Sequence, residues 1–108
     1  MTPTNELNSI KHIEDINIGG LYHIPHYNMP IYDIDDPNDT CDHISYGHLQ
    51  NNTAFVVLEL HAVKLKNYNN SLVYRIKILT GTGNVGWLSL QDKDLEYIMP
   101  VTSCDKEL

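Results

Sequence analysis

Tyr74-Arg75-Ile76-Lys77-Ile78-Leu79 runs into Thr80-Gly81-Thr82-Gly83-Asn84 and then into Val85-Gly86-Trp87-Leu88-Ser89-Leu90. The first stretch alternates large apolar with basic residues, as a half-buried strand does. The glycines and asparagine that follow supply backbone that other residues adopt at a cost, so the chain reverses there. The second stretch resumes alternation. Together they predict an antiparallel hairpin with Tyr74, Ile76, Ile78, Leu88 and Leu90 on the inward face. Arg75 and Lys77 are expected in water, and Trp87, out of phase with its leucine neighbours, at the end of the sheet with part of its ring exposed.

The same period extends upstream. Residues 54–64 form the strongest strand pattern, in which Val56, Leu58, Leu60 and Ala62 share one wholly apolar face, predicted to point inward. Asparagines at 67, 69 and 70 predict the turn between this strand and the next. Gly19-Gly20 precedes a first strand at 21–24, and residues 31–34 read as a short strand or the near side of a loop. Residues 35–52 carry Asp35, Asp36, Asp39 and Asp42 with Pro37, Asn38 and Gly47 and have no sustained period, which predicts a long acidic loop with only weak pairing around His43-Ile44-Ser45-Tyr46. Residues 91–95 suit a single 3₁₀ turn and residues 96–101 a closing strand. Residues 1–17 read as an N-terminal arm in which Leu7, Ile10 and Ile13 recur every third position. Residues 102–108 read as a flexible tail.

The chain has 108 residues, one domain's worth, and a hydrophobic fraction of 42% that suits a single modest core. Its formal charge is −7 and Arg75 is its one arginine, so it lacks the clustered cations that neutralise nucleic-acid phosphates. No apolar run approaches the length of a membrane span. The first residues lack the basic and then apolar regions of a secretory signal, from which a cytoplasmic location is expected. Cys41 and Cys104 have neither metal-ligand nor Cys-x-x-Cys spacing and read as two reduced thiols. Six histidines would bring −7 to −1 if all were protonated, so self-association is expected to vary with pH.

Five short strands, a long loop after the first and a 3₁₀ turn before the last describe a small all-β antiparallel barrel, which closes its sheet to remove exposed edges. In this the chain resembles Src-homology-3-like barrels. The likeness is carried by Gly20-Leu21-Tyr22, Phe55-Val56-Val57-Leu58-Glu59, Tyr74 to Leu79, Gly86-Trp87-Leu88 and Leu95-Glu96-Tyr97-Ile98, and it spans residues 18–101. More narrowly, it is similar to small barrels encoded by tailed phages, which would place it in a host cytoplasm, and to bacterial cell-wall-associated relatives. The resemblance implies fold far more than activity, because the shared positions are core and turn residues.

The polyproline groove of eukaryotic members needs stacked aromatics and a proline–tyrosine pair in the 3₁₀ turn. Tyr32 could stand for the first tyrosine, but residues 91–95 supply neither proline nor tyrosine, so proline-rich ligands are not expected. A calcium loop beginning at Asp33 fails as well, since Pro37 and Ile44 occupy ligand positions. His23, His26 and His43 with Asp35 and Asp36 are of the right types for a transition-metal site or a metal-dependent hydrolase. Pro25 between the first two histidines works against their convergence. Cys41-Asp42-His43 sets a nucleophile type beside a base type, yet neighbours in one loop rarely face each other productively. There is no Gly-x-Ser-x-Gly and no phosphate-binding loop.

The sequence therefore predicts a non-enzymatic binding or assembly module with no cofactor. Its contact surface is expected to be built from Tyr22, Tyr27, Tyr32, Tyr46 and Trp87 around the long loop. The expected partner is a protein with a basic surface, or a second copy in a homodimer, rather than nucleic acid or membrane. Metal binding through the histidine and aspartate set, and cell-wall binding, stand as alternatives.

Overall fold

The computed structural model of the chain describes residues 10, 12–38, 45–50, 53–65, 69 and 71–101. The strands are β1 (Leu21–His23), β2 (Met29–Tyr32), β3 (Ser45–Leu49), β4 (Phe55–Leu65), β5 (Ser71–Thr80), β6 (Val85–Leu90) and β7 (Met99–Pro100). Two 3₁₀ helices complete the described elements, η1 (Ile13–Asp15) and η2 (Asp92–Tyr97).

The β5–β6 hairpin forms where the sequence places it. Thr80 N–H donates to the Asn84 carbonyl at 2.8 Å and Gly83 N–H to the Thr80 carbonyl at 2.9 Å. Gly83 has φ = 91°, a left-handed backbone that glycine adopts without a side-chain clash. The Thr80 hydroxyl also accepts the Asn84 N–H at 3.1 Å, which ties the turn to the end of β5. Across the ladder Tyr74 faces Leu90, Ile76 faces Leu88 and Ile78 faces Gly86. All three β5 side chains and both leucines are buried in the core, as the alternation predicts.

β4 departs from the reading of its sequence. Its ladder with β5 runs Phe55↔Thr80, Val56↔Leu79, Val57↔Ile78 and then Glu59↔Lys77, a register shift that leaves Leu58 without a partner position. One extra residue reverses the facing of everything after it. Phe55 and Val57 are therefore the inward residues before the bulge, while Leu60 packs against the core after it. Val56 and Leu58, expected inside, are only half-buried. Unbroken alternation had put the whole strand on one phase, and the bulge splits it in two.

The sheet has seven strands in the order β3-β2-β6-β5-β4-β1-β7, all pairs antiparallel. It curls into a half-barrel, with β3 and β7 at opposite ends of the strand order. The five-stranded expectation is corrected by the segment after β1, where a stretch read as a short strand or loop edge and a stretch expected to pair only weakly form the β2–β3 hairpin. Met29 faces Leu49, Pro30 faces His48 and Ile31 faces Gly47. Pro30 had argued against a strand because it donates no hydrogen bond. It is tolerated because β2 meets β6 only at Tyr32↔Trp87, so little ladder is lost on that side. Residues 39–44, which hold the rest of the acidic loop and Cys41, lie outside the described residues, as do Cys104 and the tail.

The inner face of the curl is filled from both ends of the chain. Ile10 and Ile16 pack into the same core as Ile24, Phe55, Ile76, Leu88, Leu95 and Ile98. Tyr22 belongs to it too, and its hydroxyl accepts the Asn17 N–H at 2.8 Å. This bond fixes the bend around Gly20, where an added Cβ would lie 2.7 Å from the Tyr22 ring and 2.9 Å from the Asn17 carbonyl oxygen. Gly20→Ala is expected to cost about 2–3 kcal/mol, because both obstacles are held in place. Thermal melting checks this, with a midpoint lower by roughly 10 °C or more.

The outer face is not wholly solvent-exposed. Arg75 sits between inward Tyr74 and Ile76, yet only 3% of its surface is exposed, against the expectation of a solvated arginine. Trp87, between Gly86 and Leu88, is 6% exposed rather than partly open. The Arg75 guanidinium donates to the Pro37 carbonyl at 2.9 Å, so the chain following β2 comes to lie against this face.

Candidate functional site

After β1 the side chain of Ile24 enters the core, and Pro25 then turns the chain outward through His26 and Tyr27. At the other end of the chain, η2 has the three-residue period of a 3₁₀ helix. Leu95 and Ile98 are both buried, so this period puts Asp94 and Tyr97 together on the neighbouring ridge, half-buried. The Asp94 carboxylate accepts the Gln91 N–H at 3.1 Å and closes the first turn. Tyr97 packs partly against the core and partly against Tyr27, with ring centroids 4.4 Å apart and planes inclined at 48°. Tyr27 remains 46% exposed.

The result is an aromatic pair with one ring anchored and the other offered to solvent, bordered by the carboxylates of Asp94 and Glu96. The Tyr27 hydroxyl beside it raises the Tyr97 phenol above its ordinary value of 10.0, with smaller contributions from Tyr27's charge, desolvation, Glu96 and Asp94. A raised phenol contributes stability that is present below the ordinary value and lost as pH rises through the raised one. A site-resolved nuclear magnetic resonance titration of the Tyr97 ring is therefore expected to show it ionising later than a free tyrosine. Tyr27→Phe is expected to bring that ionisation to lower pH, and an unchanged titration would contradict the contact.

A second cluster lies on the outer face of β4, β5 and β6. His61 Nε2 is 3.0 Å from Glu59 Oε1, and Lys77 Nζ is 3.4 Å from Glu59 Oε2. The His61 ring lies 5.6 Å from that of Trp87, and Lys77 Nζ is 5.9 Å from the Trp87 ring centre. The hydrogen bond with His61 holds the Glu59 carboxyl below its ordinary value. Partial desolvation opposes this and Lys77 adds to the lowering. These groups satisfy one another beside a buried ring, which is the arrangement of a structural contact more than of an open site. A groove of about 320 Å³ lies nearby, lined by Ile13, Glu14, Ile16, Leu60, His61 and Ala62.

Of the expected contact aromatics, the structure leaves only some at the surface. Tyr22 is a core residue and Trp87 is covered, so neither is an accessible anchor. Tyr32 is half-buried in β2 opposite Trp87, away from the pair made by Tyr27. The Tyr46 side chain lies outside the described residues. The metal set is not assembled among the described residues, where no group of three or more His, Cys, Asp or Glu converges. His23 is half-buried in β1, His26 and Asp35 are exposed, and His43 lies outside the described residues. The Asp36 carboxylate accepts the Asn38 N–H at 3.0 Å in a local turn. Also among the described residues, no helix is long and apolar enough to cross a membrane.

Tyr97 is the residue that sequence reasoning missed. Its sequence reads as part of a closing strand after a 3₁₀ turn over residues 91–95, whereas η2 continues to Tyr97. The spacing of Leu95 and Ile98, three apart, carried the signal: a strand would have buried residues two apart. The 3₁₀ segment therefore supplies a tyrosine, against the expectation from residues 91–95. Compared with known proteins, the chain matches no family model, no curated protein and no solved structure.

Proposed function

We propose that this chain is a non-enzymatic binding module that receives an extended, basic segment of a partner protein on the Tyr27–Tyr97 pair. The observation that carries the reading is the pair itself, a half-exposed tyrosine braced by a second one rooted in the core. Tyrosine anchors interfaces because it offers a large ring and a hydroxyl at little entropic cost. Asp94 and Glu96 border the pair and the chain is acidic overall, which favours lysine or arginine in the incoming segment. A cation over either ring face gains further attraction. The Src-homology-3-like assignment belongs to the same proposal. It is supported by the long β4–β5–β6 meander and by a 3₁₀ helix joining β6 to a short last strand that pairs with the first.

Fluorescence anisotropy of three labelled peptides of equal length, one basic, one neutral and one acidic, tests this. Saturable binding of the basic peptide alone, weakened by added salt, is the expected result. Equal binding of all three, or binding that survives Tyr27→Ala unchanged, would contradict it.

Self-association is a second reading with its own observation. Among the described residues, β1 pairs with β4 only at Phe55 and Val56, and the same edge from Leu58 to Leu65 carries no strand partner. Such an edge is a template for strand addition. Sedimentation equilibrium decides it, since a monomer at all concentrations removes this reading and leaves the first intact.

A further inference from the structure

We infer that residues 33–38 form a latched strap over the outer face of the sheet, with Arg75 as the latch, and that releasing it uncovers Trp87 while the core stays folded. The geometry starts from the strand order, in which β6 lies between β2 and β5. The strap leaves β2 just after Tyr32, which faces Trp87 of β6, and its Pro37 carbonyl accepts a hydrogen bond from Arg75 of β5. The link between Pro37 and Arg75 therefore spans β6, on which Trp87 sits. Adjacent strands are about 4.8 Å apart, so five residues are ample to cover that distance.

Burial agrees with this placement. Arg75 and Trp87 both project from the face opposite the core and both are nonetheless buried, Trp87 with His61 and Lys77 beside its ring, and Ile34 of the strap is buried as well. Ile34 and Trp87 are not part of the main core cluster. The outer face thus holds a separate buried set that the strap can cover or leave without disturbing Ile76, Ile78 or Leu88. The corner of the strap is set by the Asn38 N–H bond to the Asp36 carboxylate.

An apolar side chain at position 75 would close this face without the desolvation cost of a guanidinium. Arginine instead fixes where the strap lies, through a directional bond to one carbonyl. It also lowers the cost of opening, because an opened strap returns the guanidinium to water. That combination makes a cover with two positions rather than a permanent part of the core.

Acrylamide quenching of Trp87, the chain's single tryptophan, reads the strap, and amide exchange at Ile76 and Ile78 reads the core. In Arg75→Gln, quenching is expected to rise about fivefold while core exchange stays at the wild-type rate, the pattern of a local opening. Unchanged quenching would overturn the inference. So would core exchange that accelerates in step with quenching, because Arg75 would then act on the whole fold. If Arg75→Gln does not fold, Asp36→Ala decides, since it loosens the corner and leaves the latch residue in place. Quenching about twofold above wild type supports the strap, and wild-type quenching overturns it.

Discussion

Val57→Asp is expected to abolish folding, while the same substitution one residue later, Leu58→Asp, leaves a folded protein with a lower melting temperature. Val57 is almost fully buried and faces Ile78 in the ladder, so an aspartate there has no water and no cationic partner. An unpaired buried carboxylate costs several kcal/mol, against a total stability of about 5–15 kcal/mol for a domain. Leu58 is the extra residue of the bulge and is half-buried. Its replacement should cost about 1–2 kcal/mol, in the ordinary range for a partly exposed position. Circular dichroism melts of the two variants side by side check the phase of β4. The order is reversed if the strand alternates without a bulge, so equal or inverted effects would contradict the register described above.

Tyr97→Ala is expected to reduce affinity for a basic peptide more than Tyr27→Ala does, although Tyr27 is the more exposed ring. Tyr27→Ala removes one contact surface and leaves the other in place. Tyr97→Ala removes the ring on which Tyr27 rests, so both contacts are lost. Anchor residues of this kind carry about 2 kcal/mol or more, which corresponds to roughly a thirtyfold weakening of binding. Tyr97→Phe keeps the ring and loses only the hydroxyl, so it should bind within a few-fold of wild type. Titration calorimetry on the four proteins separates loss of the platform from loss of a single bond. Because Tyr97 also packs against the core, a melt of each variant is part of the same experiment.

The β5–β6 hairpin was legible because its two signals agree: a period of two on both sides and a turn rich in glycine and asparagine. Tyr74, Ile76, Ile78, Leu88 and Leu90 follow from that alone. β4 was legible as a strand and misread in phase, because a bulge adds a residue without changing the apolar character of the stretch. Val56, Val57 and Leu58 all suit either face. The β2–β3 hairpin was hidden for the opposite reason. Pro30, Gly47 and the histidines break the pattern that marks a strand, and only the partial pairing of β2 with β6 makes Pro30 acceptable there.

At the candidate site, Tyr27 stood among the expected aromatics and Tyr97 did not. A 3₁₀ helix of six residues has too few turns to stand out from a short strand, although its period differs. Arg75 was misplaced on sound grounds, since a lone arginine on an outward position is ordinarily solvated. What buries it is a segment 38 residues earlier in the chain, and no local pattern reports that approach.

Amide shift mapping during titration with a basic peptide tests the central claim most directly. The account expects the largest shifts at Tyr27, Asn28, Asp94, Glu96 and Tyr97, with the core strands β5 and β6 unmoved. Shifts confined to the edge of β4 between Leu58 and Leu65, or no shifts at concentrations up to about 1 mM, a limit of weak but specific binding, would contradict it.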